Sequence, residues 1–92
     1  MRIRWTPQAA DKLERIADFI RQENPAAERV VLNAIGDGIA DLRTFPHRGR
    51  PGKHAGTREL VIAKFPAYIV VYRVGPESID ILNVWHAAQQ RH

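Results

Sequence analysis

Residues 67–74 read Ala67-Tyr68-Ile69-Val70-Val71-Tyr72-Arg73-Val74. The period of two that governs a strand puts Tyr68, Val70, Tyr72 and Val74 on one face, and Ile69, Val71 and Arg73 on the other. Both faces are largely apolar, which marks a central strand of a sheet. One face therefore needs a packed layer. The second exposes apolar area unless a partner segment or a C-terminal tail covers it, or it stays half-exposed. Neighbouring strands flank this one. Glu59 to Ala63 precedes it across Phe65-Pro66, and Ser78 to Trp85 follows across Gly75-Pro76-Glu77, so two hairpin connections join three strands.

Upstream the period changes to that of helices. Leu13, Ile16, Ala17 and Ile20 fall at i, i+3, i+4 and i+7 with charged residues on the other faces. Thr6-Pro7 starts this helix, because a threonine cap is followed by a residue whose missing N–H would have no partner at that position anyway. It ends near Glu23. Asn24-Pro25 repeats the start chemistry, and Val31, Ala34, Ile35, Ile39 and Leu42 give a second stripe through about Arg43. So short a connection predicts an antiparallel helical hairpin. Gly36 and Gly38 each cost a helix interior about 1 kcal/mol relative to Ala, and either permit close packing or weaken the helix. Residues 1–5 alternate Met1, Ile3 and Trp5 with Arg2 and Arg4, a short first strand. After Phe45-Pro46, residues 47–57 have neither period and form an ordered loop. The expected architecture is β-α-α-β-β-β, an α+β domain with a helical hairpin on one face of a mainly antiparallel sheet.

Ninety-two residues suit one domain, 1–92, and a composition 45% hydrophobic and 26% charged is that of an ordinary globular chain. The absence of cysteine excludes disulfides, a thiolate zinc site and a catalytic thiol. The histidines at 47, 54, 86 and 92 lack metal-ligand spacing, so no metal or other cofactor is expected. With no apolar leader and no run long enough to span a bilayer, no membrane partner is expected and the cytoplasm is the default location. The net charge of +4 is concentrated in one place. Arg43, Arg48, Arg50, Lys53 and Arg58 stand in a segment without an acidic residue, whereas the rest of the chain holds nine basic and ten acidic residues. Arg48, Arg50, Lys53 and His54 are therefore the expected anion- or target-binding residues. A solvated surface is the plainer reading of the same run.

Three strings mark a family: Gly49-Arg50-Pro51-Gly52; Gly56-Thr57-Arg58-Glu59-Leu60-Val61; and Tyr68-Ile69-Val70-Val71-Tyr72-Arg73-Val74, with Ile79 to Trp85 and His86-Ala87 beyond it. Together with Trp5-Thr6 and Asn24-Pro25-Ala26-Ala27, they resemble the RelE/ParE toxins over nearly the whole chain. The resemblance implies the toxin of a type II toxin–antitoxin pair, held in a hetero-oligomer by a cognate antitoxin that covers apolar grooves and pairs with strands. Ile69, Val71, Leu82 and Val84 are the residues expected to meet it. The family's active forms poison DNA gyrase (ParE-like) or cleave messenger RNA on the ribosome (RelE-like), and fold alone does not choose between them.

An RNA-cleaving site would use His86 as the proton-transfer group, with Arg73 and Arg58 clamping the phosphate. In this reading Arg73 and His86 match residues of some ribonuclease members. The plainer reading makes His86 a strand cap and pairs Arg73 with Glu59 or a C-terminal carboxylate. Trp5, Tyr68 and Tyr72 are read as core rather than base-stacking platforms. The C-terminal tyrosine of the most studied ribonuclease members is absent from Ala87-Ala88-Gln89-Gln90-Arg91-His92, and Val84-Trp85-His86-Ala87 is closer to ParE-like members. The favoured reading is therefore a gyrase-directed toxin. The alternatives are an mRNA endonuclease and a degenerate member that retains only antitoxin binding and operon regulation.

Overall fold

The computed structural model describes residues 1–89. Its elements are β1 (Arg2–Trp5), α1 (Pro7–Glu23), α2 (Pro25–Asp41), β2 (Arg50–Pro51), β3 (Arg58–Val61), β4 (Tyr68–Val74) and β5 (Ser78–His86), followed by a 3₁₀ turn at Ala87–Gln89. The sheet order is β1-β5-β4-β3-β2, with β1 parallel to β5 and every other pair antiparallel. The expected α+β hairpin-on-sheet architecture is present. One element was not anticipated: the two-residue strand β2 forms within the loop, pairing Arg50 with Glu59 and Pro51 with Arg58. Helix α2 also stops at Asp41, two residues short of the expected Arg43.

Capping explains where the helices begin. The Thr6 hydroxyl accepts the Ala9 amide at 3.1 Å and donates to the Ile81 carbonyl at 3.0 Å, tying the start of α1 to β5. Asn24 serves both helices. Its amide donates to the Ile20 carbonyl at the end of α1, while its side chain accepts from Ala27 at the start of α2. A single residue thus turns the chain into the hairpin. Gly38 permits close packing, since a methyl there would lie 3.1 Å from Ile62 Cδ1; Gly36 faces open space.

Ile16, Ile20, Val31, Ile35 and Ile39 from the helices, with Leu42 just past the end of α2, meet Leu60, Ile62, Val70, Tyr72, Ile79, Ile81 and Val84 from the sheet half of the chain. Full burial of an aliphatic side chain contributes about 1.5–3 kcal/mol, against roughly 0–1 for an exposed ion pair, so this layer rather than the surface charges fixes the architecture. Among the described residues no helix is long and apolar enough to cross a membrane.

Strand β5 does not keep one alternation. Tyr72 stands opposite Ile81 and Val71 opposite Asn83, leaving Leu82 as an extra residue in a bulge. Before the bulge Ile79 and Ile81 face the helices; after it Val84 does, fully buried. Val84, expected to meet an antitoxin, therefore lies in the core and not on the uncovered face. Asn83 and Trp85 lie there instead, opposite Val71 and Ile69.

Candidate functional site

The basic segment is fastened before it presents any charge. Gly49 is buried, and its amide donates to the Tyr72 hydroxyl at 2.9 Å, which in turn donates to the Pro46 carbonyl at 2.7 Å. Arg58 Nη1 donates to the Gly49 carbonyl at 2.6 Å and to the His47 carbonyl at 3.2 Å. Arg58 therefore commits Nη1 to backbone. Further along, the Gly52 amide donates to the Thr57 carbonyl at 2.8 Å, and Thr57 donates twice to the His54 carbonyl, from its amide at 3.1 Å and from its hydroxyl at 2.6 Å. A side chain at Gly52 would collide with the Thr57 hydroxyl, and Gly56 takes φ +81°, so both glycines are needed for this tight excursion.

The excursion brings Lys53 and His54 onto the sheet face away from the helices, where they border a small cleft with Thr57, Glu59, Val71, Asn83 and Trp85. Arg73 lies on the same face, exposed, with its Nε 3.7 Å from where a Gly56 methyl would stand. Among the described residues no ion pair engages Lys53, His54 or Arg73. The expected Arg73–Glu59 pair is absent because Glu59 accepts Arg50 Nε at 3.1 Å and Nη2 at 3.0 Å. Asp80, opposite Arg73, is engaged by Arg4 at 3.6 Å and accepts from Ser78. Arg48 turns toward α2, 3.6 Å from Asp41, with its guanidinium 4.8 Å above the Phe45 ring. The four expected anion-binding residues therefore divide: Arg48 and Arg50 are paired with carboxylates, and Lys53 and His54 remain available.

His86 lies elsewhere. It pairs across the sheet with Tyr68, whose ring it meets edge-on at 4.8 Å, and its Nδ1 accepts the Ala88 amide at 3.1 Å. Burial holds the Tyr68 phenol above its ordinary pKa. Arg73 is five residues along β4 from Tyr68, about 16 Å at strand rise, and its side chain leaves the opposite face. Arg58 pairs with Tyr72 and so shares the helix-side face, but it is committed to the loop carbonyls. The three residues expected to cleave RNA do not converge.

Of the residues expected to meet an antitoxin, Ile69 is buried on the open face between Val61 and Trp85, Val71 is half-buried beside it, and Leu82 is half-buried at the bulge. The sequence reading missed Trp85 and Asn83, whose facing depends on that bulge. Among the described residues no group of three His, Cys, Asp or Glu side chains is placed to hold a metal.

The chain matches the family model described as "ParE toxin of type II toxin-antitoxin system, parDE" over residues 3–91. It is 43% identical over 89 residues to the candidate toxin Y4kP of Sinorhizobium fredii, covering 97% of this chain and 91% of that one. Its fold is similar to that of a chain of the chromosomal ParDE system from P. aeruginosa, with a TM-score of 0.82, 25% identity and coverage of 94% and 95%. It also superposes on the YoeB/ParE toxin from Agrobacterium tumefaciens with a TM-score of 0.67, at 22% identity and coverage of 94% and 98%.

Proposed function

The chain belongs to the ParE toxin family of type II toxin–antitoxin systems, and on that premise we propose that it arrests growth by binding DNA gyrase rather than by cutting RNA, and that a cognate antitoxin neutralises it. The observation that carries this choice is the separation of Arg73 from His86. RNA cleavage without a metal needs a proton acceptor, a stabilising cation and a proton donor around one phosphate, each within hydrogen-bond reach. A separation of about 16 Å across opposite faces exceeds that reach several-fold.

A toxin that acts by binding needs only a shaped and charged surface. The open face offers Lys53, His54 and Arg73 around Trp85 and Asn83, held by the anchored loop. Aromatic and arginine side chains are the residue types that most often dominate protein interfaces. A gyrase target is a cytoplasmic one, which places the toxin's action in that compartment.

The test assays the purified chain for inhibition of gyrase supercoiling and, in the same extract, for cleavage of ribosome-bound mRNA. Loss of supercoiling with intact mRNA is expected. Messenger RNA cut in a His86-dependent manner would overturn the proposal in favour of the endonuclease. If expression alone leaves both assays and growth unaffected, antitoxin binding and operon regulation are what remain.

A further inference from the structure

Strand pairing gathers positive charge on the sheet face away from the helices. Arg2 stands opposite Ser78, Arg4 and Arg73 both stand opposite Asp80, and Arg50 stands opposite Glu59, so all four arginines share that face. The loop adds Lys53 and His54. Five cations thus meet two carboxylates there, a net of +3 before any charge on His54, while nine basic and eight acidic residues make up the rest of the chain. Most of the net +4 is therefore displayed on one side of the molecule.

Arg2, Lys53 and Arg73 are exposed and enter no ion pair among the described residues, and Arg4 stays exposed beside Asp80 at 3.6 Å. The charged track runs from β1 at one edge of the sheet to β2 at the other, four strand spacings or about 19 Å. Protein interfaces deplete charge at their centre, so cations spread from edge to edge suit a polyanion better, and duplex DNA carries one phosphate per ~1.7 Å of its axis. Single strands are held instead by aromatic platforms on which successive bases stack. Trp85 is the one strand aromatic on this face, and it is half-buried; Trp5, Tyr68 and Tyr72 lie on the helix side. The cleft beside Lys53 and His54 is about 160 Å³, below the ~300 Å³ of small-molecule pockets, which is room for a phosphate and not for a nucleotide. Both helices pack on the other side of the sheet, so neither enters a groove to read bases.

We propose that the open face binds the phosphate backbone of duplex DNA without regard to sequence, through Arg2, Arg4, Lys53 and Arg73. The proposal rests on the gyrase reading above and deepens it: the duplex in question is the segment that gyrase holds, so the toxin engages the enzyme and its DNA together. Backbone contact of this kind supplies affinity through release of condensed counterions, one for each phosphate neutralised.

The experiment titrates the full chain into fluorescently labelled duplexes of two unrelated sequences and follows anisotropy over a range of NaCl concentrations, with gyrase supercoiling assayed in parallel. Wild type is expected to bind both duplexes within about twofold of each other, the logarithm of its association constant falling against that of salt with a slope of roughly −3. Lys53→Gln with Arg73→Gln should flatten that slope by about 2, and Arg2→Gln by about 1. Lys12→Gln with Arg29→Gln removes two cations from the helices, neither in an ion pair among the described residues, and should leave the slope unchanged. Circular dichroism is the folding control, and if the double variant misfolds, Arg2→Gln still decides. Absence of duplex binding at about 50 mM NaCl, or a slope that the open-face and helix variants change alike, would overturn the proposal. Tighter binding of single-stranded RNA, or displacement of the duplex by polyglutamate at equal charge, would make the ligand RNA or an acidic protein and also overturn it. Inhibited supercoiling without duplex binding overturns the DNA surface and leaves the gyrase reading standing; duplex binding with undisturbed supercoiling upholds the surface and overturns the gyrase reading alone.

Discussion

The Tyr72 hydroxyl accepts the buried Gly49 amide at 2.9 Å, so a residue of the central strand anchors the start of the basic loop. Tyr72→Phe would leave that amide and the Pro46 carbonyl without their partner. An unsatisfied buried group costs about 1–3 kcal/mol, so a lowered urea midpoint is expected, together with faster hydrogen exchange across residues 46–57. An unchanged midpoint with unchanged exchange would show that the hydroxyl does not anchor the loop.

Arg58 supports the same anchor from β3, donating to the Gly49 and His47 carbonyls. Both bonds come from Nη1, and lysine retains the charge but carries it on a flexible stem in place of the rigid guanidinium plane that aims that nitrogen at the two carbonyls. Arg58→Lys should therefore accelerate loop exchange nearly as much as Arg58→Ala, and weaken target binding only through loop order. Full retention of loop protection by Arg58→Lys would mean that the charge alone matters.

The bulge at Leu82 makes a contrast between near neighbours. Val84 is fully buried against the helices, and Val84→Ala should cost about 1–3 kcal/mol. Asn83 is half-buried on the open face, where its Oδ1 accepts the Val84 amide at 2.9 Å, so Asn83→Ala should cost only that hydrogen bond, about 0.5–1.5 kcal/mol. Equal losses in thermal unfolding would contradict the change of face.

Much of the fold is legible in the sequence. Thr6-Pro7 and Asn24-Pro25 announce helix starts through chemistry that acts locally, and the doubly apolar run 67–74 announces a central strand for the same reason. The bulge left no such mark, because residues 78–86 alternate plausibly in either phase and only pairing with Val71 and Tyr72 fixes which phase holds after Ile81. The candidate site is less legible for that reason and one other. Side-chain chemistry and, for Arg73 and His86, the family resemblance group Arg58, Arg73 and His86 together, whereas strand register assigns them to different faces and ends. The basic run was recognisable as a run, but partnership with Asp41 and Glu59 is tertiary information.

Arg21 joins the two helices through Glu28, with Nη2 2.6 Å from Oε2 and Nε 3.0 Å from Oε1. The guanidinium's hydrogen bonds hold the Glu28 carboxyl below its ordinary pKa. A depressed carboxylate pKa stabilises the fold above the unfolded value, near pH 4.5, and that contribution is lost as pH falls through the folded value. Glu28→Gln should thus lower the melting temperature slightly at pH 7, with the difference closing on acidification below about pH 4. A difference that persists in strong acid would exclude this pair as its source.

The division of labour between the two ends of the sheet is tested most directly by the growth arrest produced on expressing three forms without antitoxin: wild type, His86→Ala, and Lys53→Glu with Arg73→Glu. With protein levels matched, His86→Ala is expected to arrest growth as the wild type does, while the charge reversal on the open face loses at least about tenfold in potency. The opposite outcome, arrest abolished by His86→Ala and preserved by the open-face reversal, would contradict a binding toxin and return the chemistry to His86.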